Sequence, residues 1–240
     1  MDYGSVVLVA FAALLVIVFV ALAKKTAQAA RGDPAFWEWE IRRFEREDQH
    51  SKPPPGVIVF TGSSSVRFWK TLEEDMAPLP VVNRGFGGSQ IHQVTYYADR
   101  IVLPYKPRAV VLYAGENDIA GAKFSKKKSP EEVLEAFKRF CATIQTELPE
   151  IPIYFLSIKP PKLRQRLWPE MQTANNLIEE FCRSDQGIRF VDVASAMLDA
   201  EGRVRGDVFK WDGIHLNRKG YIIWTSILKP ILEEAFAVEV

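Results

Sequence analysis

Cysteine is nearly absent from the 240-residue chain: there are two, Cys141 and Cys182. Neither belongs to a Cys-x-x-Cys pair and both fall in segments with helical spacing. That excludes a disulfide scaffold and a cysteine zinc site, and leaves two small buried apolar residues. An excess of one charge is missing as well, since 31 Lys and Arg face 30 Asp and Glu for a formal net charge of +1. With no global positive field to attract a phosphate backbone, nucleic acid is not an expected partner. Internal repeats and low-complexity tracts are also missing, and 48% hydrophobic with 25% charged residues is an ordinary globular composition. Disordered, collagen-like and coiled-coil classes are set aside on that ground.

Apolar residues are unevenly spread. The run SVVLVAFAALLVIVFVALA, residues 5–23, carries no charge, and at about 1.5 Å per residue it nearly reaches the ~30 Å of a bilayer core. It is expected to be a retained single-pass anchor, residues 1–25. A cleaved signal peptide is the competing reading, with Ala27-Gln28-Ala29 as a small-residue cleavage pattern; the start Met1-Asp2-Tyr3 lacks the positive region such a peptide needs. Lys24, Lys25 and Arg31 follow the run, a bias that favours a cytoplasmic main domain; cleavage would place it outside. Residues 26–56 read as a juxtamembrane segment. In it Trp37, Ile41 and Phe44 share one helical face, to pack on the domain or rest on a membrane surface, before Pro53-Pro54-Pro55-Gly56 breaks the helix.

The stretch 57–240 reads as one domain. Short continuous apolar runs at 57–60, 81–82, 109–113, 153–156 and 188–191 alternate with helical patterns at 66–74, 90–103, 130–148, 168–183 and 218–235. Strands apolar on both faces that alternate with helices predict a three-layer α/β/α fold around a five-stranded parallel sheet. Functional groups of such folds collect in loops at the carboxyl ends of strands.

Four of those ends carry chemistry. The first strand leads into Gly62-Ser63-Ser64-Ser65, a strand-to-helix turn that can present a nucleophilic hydroxyl or simply cap a helix. Val66 stands where the nucleophile elbow Gly-x-Ser-x-Gly needs glycine. The second leads into Asn83-Arg84-Gly85-Phe86-Gly87-Gly88, whose spacing fails the dinucleotide fingerprint at Gln90 but leaves unshielded backbone N–H groups. The third ends in Gly115-Glu116-Asn117-Asp118, where Asn117 can donate to an oxyanion or tie down its own loop; no Gly-Lys-Ser/Thr follows to make a phosphate loop. Near the C-terminus Asp212 precedes His215 by three residues, close enough for a tight turn to join carboxylate and imidazole. Of the other histidines, His50 lies in a polar linker and His92 reads as a loop-supporting residue.

Taken in this order, Ser, Gly, Asn and Asp-x-x-His resemble the blocks of the SGNH hydrolase superfamily, also called GDSL esterases and lipases, over most of 57–232. The glycine loop is particularly similar to that of the catalytic subunits of intracellular platelet-activating-factor acetylhydrolase. The resemblance implies a flavodoxin-like fold and a serine esterase or lipase. In it Ser64 is the nucleophile, His215 the base, Asp212 its orienter, and Ser64 N–H, Gly88 N–H and the Asn117 amide line the oxyanion hole. It implies a two-step acyl transfer with no metal or organic cofactor. The family's aspartate before the nucleophile is Ser63 here, so Ser63 and Ser65 are alternatives one residue away. An acyltransferase to a sugar or lipid hydroxyl would use the same residues, and a non-catalytic membrane-tethered binding domain is a further alternative. The expected partners are a small or lipid ester, such as a lysophospholipid, and the membrane. Specificity is expected in loops 120–129 and 160–168; the lysines of the first, Lys123, Lys126, Lys127 and Lys128, read as a solvated loop, or as a contact for anionic headgroups if the loop lies near a membrane.

Overall fold

β-Branched and aromatic residues in short runs need cover on both faces, and the chain supplies it in the order that the alternation predicts. The computed structural model describes residues 3–30, 32–121 and 126–236. Among these the strands are β1 (Ile58–Gly62), β2 (Val81–Gly85), β3 (Ala109–Tyr113), β4 (Ile153–Leu156) and β5 (Ile188–Val191). The helices are α1 (Tyr3–Ala30), α2 (Glu38–His50), α3 (Ser64–Arg67), α4 (Leu72–Met76), α5 (Ile91–Tyr96), α6 (Ala98–Ile101), α7 (Glu116–Ala120), α8 (Pro130–Glu147), α9 (Trp168–Arg183) and α10 (Arg218–Ala235). All strand pairs are parallel in the order β2-β1-β3-β4-β5, with Ile58 opposite both Val81 and Ala109. The strand order reverses at β1, the switch point of a flavodoxin-like sheet, where a crevice opens at the carboxyl ends.

The period-two alternation of strand side chains splits the core in two. Val59, Val110, Leu112, Ile153 and Phe155 point to one layer with Ile91, Ala98, Phe137 and Ile178 from α5, α6, α8 and α9. Ile58, Phe60, Val111, Tyr113 and Tyr154 point to the other, with Val66, Leu72 and Trp224 from α3, α4 and α10. The three-layer α/β/α expectation is met.

Two expected helices are interrupted, each by a buried aromatic. The pattern at 66–74 splits into α3 and α4 because Trp69 turns inward, stacked on Tyr221 and bonded through Nε1 to Asp75 at 2.6 Å. The pattern at 90–103 splits at Tyr97, whose ring is buried and whose hydroxyl donates to Pro34 O at 2.8 Å.

The transmembrane anchor expected over 1–25 is not met: among the described residues no helix is long and apolar enough to cross a membrane. Tyr3–Ala30 is a single helix. Its described apolar side chains, such as Phe11, Ile17, Phe19 and Leu22, are exposed around the helix. Arg31, one of the charges behind the expected sidedness, and Lys123 of the lysine loop lie outside the described residues.

Residues 34–50, by contrast, join the domain. Asp33 caps the 3₁₀ turn Pro34–Trp37 by accepting from Ala35 N, and Trp37, Ile41 and Phe44 enter the same core as β1 and β3. Arg100 of α6 bridges Glu38 (2.8 Å) and Glu45 (2.7 Å) of α2. The hydrogen bonds from Arg100 hold the Glu38 carboxyl at about 2, against the opposing effect of burial. A folded value below the unfolded one means that the pair stabilises the fold at neutral pH and loses its contribution as pH falls from about 4.5 toward about 2. Glu38→Gln is therefore expected to lower Tm at neutral pH and to shrink the Tm drop on acidification; a variant whose Tm parallels the parent at every pH would show that the bridge contributes nothing.

Candidate active site

β1 meets β3 so closely at its end that only glycine fits. A Cβ on Gly62 would lie 2.0 Å from Tyr113 O, and its φ of +127° is one that other residues rarely adopt. Past this point Ser63 N donates to Tyr113 O at 2.9 Å and the chain turns into α3. The three serines then separate. Ser63 and Ser65 are buried at 3% and 1% exposure, and the Ser65 carbonyl accepts from the Tyr221 hydroxyl. Ser64 is half-buried, and its Oγ lies 3.0 Å from His215 Nε2.

The loop between β5 and α10 fixes the imidazole from behind. Asp212 Oδ1 accepts from the backbone N–H of Ile214 and of His215, both at 2.9 Å. Its Oδ2 is 2.7 Å from His215 Nδ1. With Nδ1–H donating to the carboxylate, Nε2 is left as the acceptor for the Ser64 hydroxyl. Burial opposes ionisation of Asp212, but the His215 ring and the two amides hold its carboxyl at about 2. Phe68, in the break between α3 and α4, sets its ring edge-to-face on His215 at 4.8 Å. The same break that interrupts the expected helix thus supports the His215 ring.

The remaining predicted residues come from β2 and β3. Phe86 N donates to Gly62 O at 2.9 Å, which ties the glycine loop to the serine turn. Gly88 has φ +77°, and a Cβ there would meet nothing within 4 Å, so its backbone conformation rather than crowding selects glycine. Asn117, in the first turn of α7, donates from Nδ2 to Ser89 O (3.1 Å) and accepts at Oδ1 from Arg164 Nη1 (3.3 Å). Arg164 therefore fixes which end of the amide faces the glycine loop. Ser64, Asp212 and His215 are brought into one bonded chain, and Asn117 is joined to the residue that follows Gly88.

Beneath Asn117 lies a charged cluster that the sequence reading missed. Glu116 is buried; it accepts from the Tyr113 hydroxyl (3.1 Å), from Arg164 (2.9 Å) and from the fully buried Lys159. Burial alone would raise its pKa, but Lys159 and Arg164 hold it below the ordinary carboxylate value. The signal available was a lysine three residues beyond an apolar strand, in Leu156-Ser157-Ile158-Lys159.

Two lysines of the 120–129 loop are tied to the fold by ion pairs. Lys127 pairs with Glu170 at 2.8 Å, and Lys128 pairs with the buried Asp118 at 2.7 Å. These two charges hold the loop to the fold instead of facing an anionic headgroup. Lys128 also lies 3.0 Å from His92 Nδ1, while His92 Nε2 lies 3.2 Å from Gly32 O. Burial, then the Lys128 charge, push the His92 pKa down. His92 supports loops, as expected.

A doubly wound sheet with these blocks at its carboxyl edge defines the SGNH class of hydrolases. The GDSL-like lipase/acylhydrolase family model matches residues 55–223; the chain belongs to that family and is an ester-bond hydrolase. A Streptococcus pneumonia structure named after platelet activating factor is similar with TM-score 0.70 and 22% identity, over 90% of this chain and 99% of that one. A GDSL-like lipase from Bacteroides thetaiotaomicron is similar with TM-score 0.69 and 21% identity, over 82% and 98%. A carbohydrate esterase of family 3 from Talaromyces cellulolyticus is similar with TM-score 0.58 and 16% identity, over 75% and 97%. At these identities the likeness shows a shared fold. No curated protein matches by sequence.

Removing Lys159 leaves the buried Glu116 with Arg164 as its remaining charged partner and the Tyr113 hydroxyl as a neutral donor. Lys159→Met is expected to destabilise the fold strongly, toward the about 3–5 kcal/mol seen when a buried pair is broken. The double variant with Glu116→Gln should recover part of that loss in urea unfolding, and no recovery would mean that the two charges are not coupled.

Proposed function

We propose that the chain cleaves carboxylic esters through an acyl-enzyme on Ser64. The observation that carries this reading is the chain Asp212–His215–Ser64, with separations of 2.7 and 3.0 Å. In the first step His215 Nε2 takes the Ser64 proton as Oγ attacks the ester carbonyl, and the resulting imidazolium is stabilised by Asp212. His215 then delivers the proton to the leaving alkoxide. Water, deprotonated by the same nitrogen, breaks the acyl-enzyme. The oxyanion of each tetrahedral intermediate is assigned to the N–H groups of Ser64 and Gly88 and to the Asn117 amide.

A lipid ester is the proposed substrate. Supporting it, the exposed Leu163 and Trp211 stand beside Gly213 and Asp212, an apolar rim next to the base. The exposed apolar surface of α1 also calls for burial, and we assign it to a lipid surface.

The test uses the full chain in detergent on p-nitrophenyl acetate, butyrate, octanoate and palmitate, beside Ser63→Ala, Ser64→Ala, Ser65→Ala and Asn117→Ala. Ser64→Ala alone among the serines should reduce hydrolysis to background. Asn117→Ala should lower kcat about 10²- to 10³-fold, the usual loss for one oxyanion donor. Activity retained in Ser64→Ala would end the acyl-enzyme reading, and activity on acetate alone would end the lipid-ester reading. Acyl transfer to an added alcohol in preference to water would identify a transferase working through the same residues. In vesicle flotation the full chain should rise with lipid and a variant lacking residues 3–30 should not; equal behaviour would remove the role given to α1.

A further inference from the structure

We propose that Trp37 is a positioning residue for the oxyanion site: it sets the orientation of the Gly87–Gly88 peptide. This rests on the assignment of Gly88 N–H as an oxyanion donor. The Trp37 indole Nε1 donates to Gly87 O at 2.7 Å. That carbonyl and the Gly88 N–H are the two ends of one planar trans peptide and point in opposite directions. Holding the oxygen toward Trp37 therefore aims the N–H away from it.

The constraint matters because this peptide has glycine on both sides. Without a Cβ at either residue, rotation of the peptide plane meets little steric resistance, and Gly88 already occupies φ +77°. Something other than sterics must select one orientation. An indole N–H is a donor with no acceptor capacity, so it bonds to the carbonyl in one orientation and has nothing to offer the N–H in the flipped one. Its bond also polarises the peptide and strengthens the N–H at the far end as a donor.

Trp37 itself is held firmly. It is 4% exposed, edge-to-face with Phe36 (4.8 Å) and with Phe86 of the same loop (6.1 Å). Three residues on, Glu40 pairs at 2.7 Å with Arg67, at the end of the turn that begins with Ser64. The segment 37–40 thus grips both the glycine loop and the serine turn from outside the family-matched region, which begins at residue 55.

The experiment compares full-length parent, Trp37→Phe, and a variant in which Trp37 is replaced by the isosteric 3-benzothienylalanine, which exchanges only the N–H for sulfur. Steady-state kinetics are read on the best p-nitrophenyl ester, with Tm beside them and Ser64→Ala in parallel. Both variants should lose about tenfold or more in kcat, part of the about 10²- to 10³-fold of a whole oxyanion donor, with KM within about twofold and the isosteric variant losing from its Tm only the few degrees that one hydrogen bond is worth. A kcat within about threefold of the parent in the isosteric variant overturns the proposal. So does an isosteric variant that is no longer folded at the assay temperature, or a KM that rises as far as kcat falls, since general disruption of the site would then account for the loss. If Ser64→Ala keeps full activity, the active-site reading itself has failed, a result distinct from either outcome for Trp37.

Discussion

The site depends on one close approach, that of β1 to β3 where Gly62 passes Tyr113 O at a distance no side chain allows. From this contact Ser63 N bonds back to β3, Phe86 N reaches Gly62 O from β2, and Ser89 Oγ bonds to the same Gly62 carbonyl at 3.2 Å. Three loops from three strands are therefore pinned to one peptide. A parallel sheet whose order reverses at β1 places those loops side by side, and helices on both faces leave only the carboxyl edge open.

The polar groups at that edge are arranged so that each has one available role. Asp212 is saturated on one oxygen by two amides and gives the other to His215, which leaves His215 a single acceptor nitrogen. Glu116 neutralises the buried Lys159 and shares Arg164 with Asn117. The cost of burying these charges is offset by their mutual bonds, and in return the Asn117 amide cannot turn over without losing Arg164. Stability spent on the cluster becomes geometry at the edge.

The fold was legible because its signals are local. The continuous strands at 109–113, 153–156 and 188–191 and the helices at 168–183 and 218–235 coincide with β3, β4, β5, α9 and α10, since hydrophobic period and flanking breakers decide them within a few turns. The order Ser, Gly, Asn and Asp-x-x-His was legible for the same reason. What was not legible depends on partners far along the chain. Trp69 breaks a helix to reach Tyr221, Tyr97 breaks one to reach Pro34, and Lys127 and Lys128 look like a free basic loop until Glu170 and Asp118 are placed beside them. Glu116 and Lys159 are 43 residues apart and carry no local pattern at all.

The N-terminal segment shows how local and distant signals combine. Its helical face, Trp37, Ile41 and Phe44, announces that it packs on something, but not that the indole N–H ends on Gly87 O, 50 residues away. Between that segment and α1, Gly32 O accepts from Gln93 Nε2 at 3.0 Å, so the chain is tied to α5 just after α1 ends. A helix with an exposed apolar surface and a turn that touches the glycine loop are thereby separated by a few residues, both fastened to the same domain. The exposed apolar helix and the residue that holds Gly87 O are thus near neighbours in sequence, and the stretch between them is anchored to α5 through Gly32.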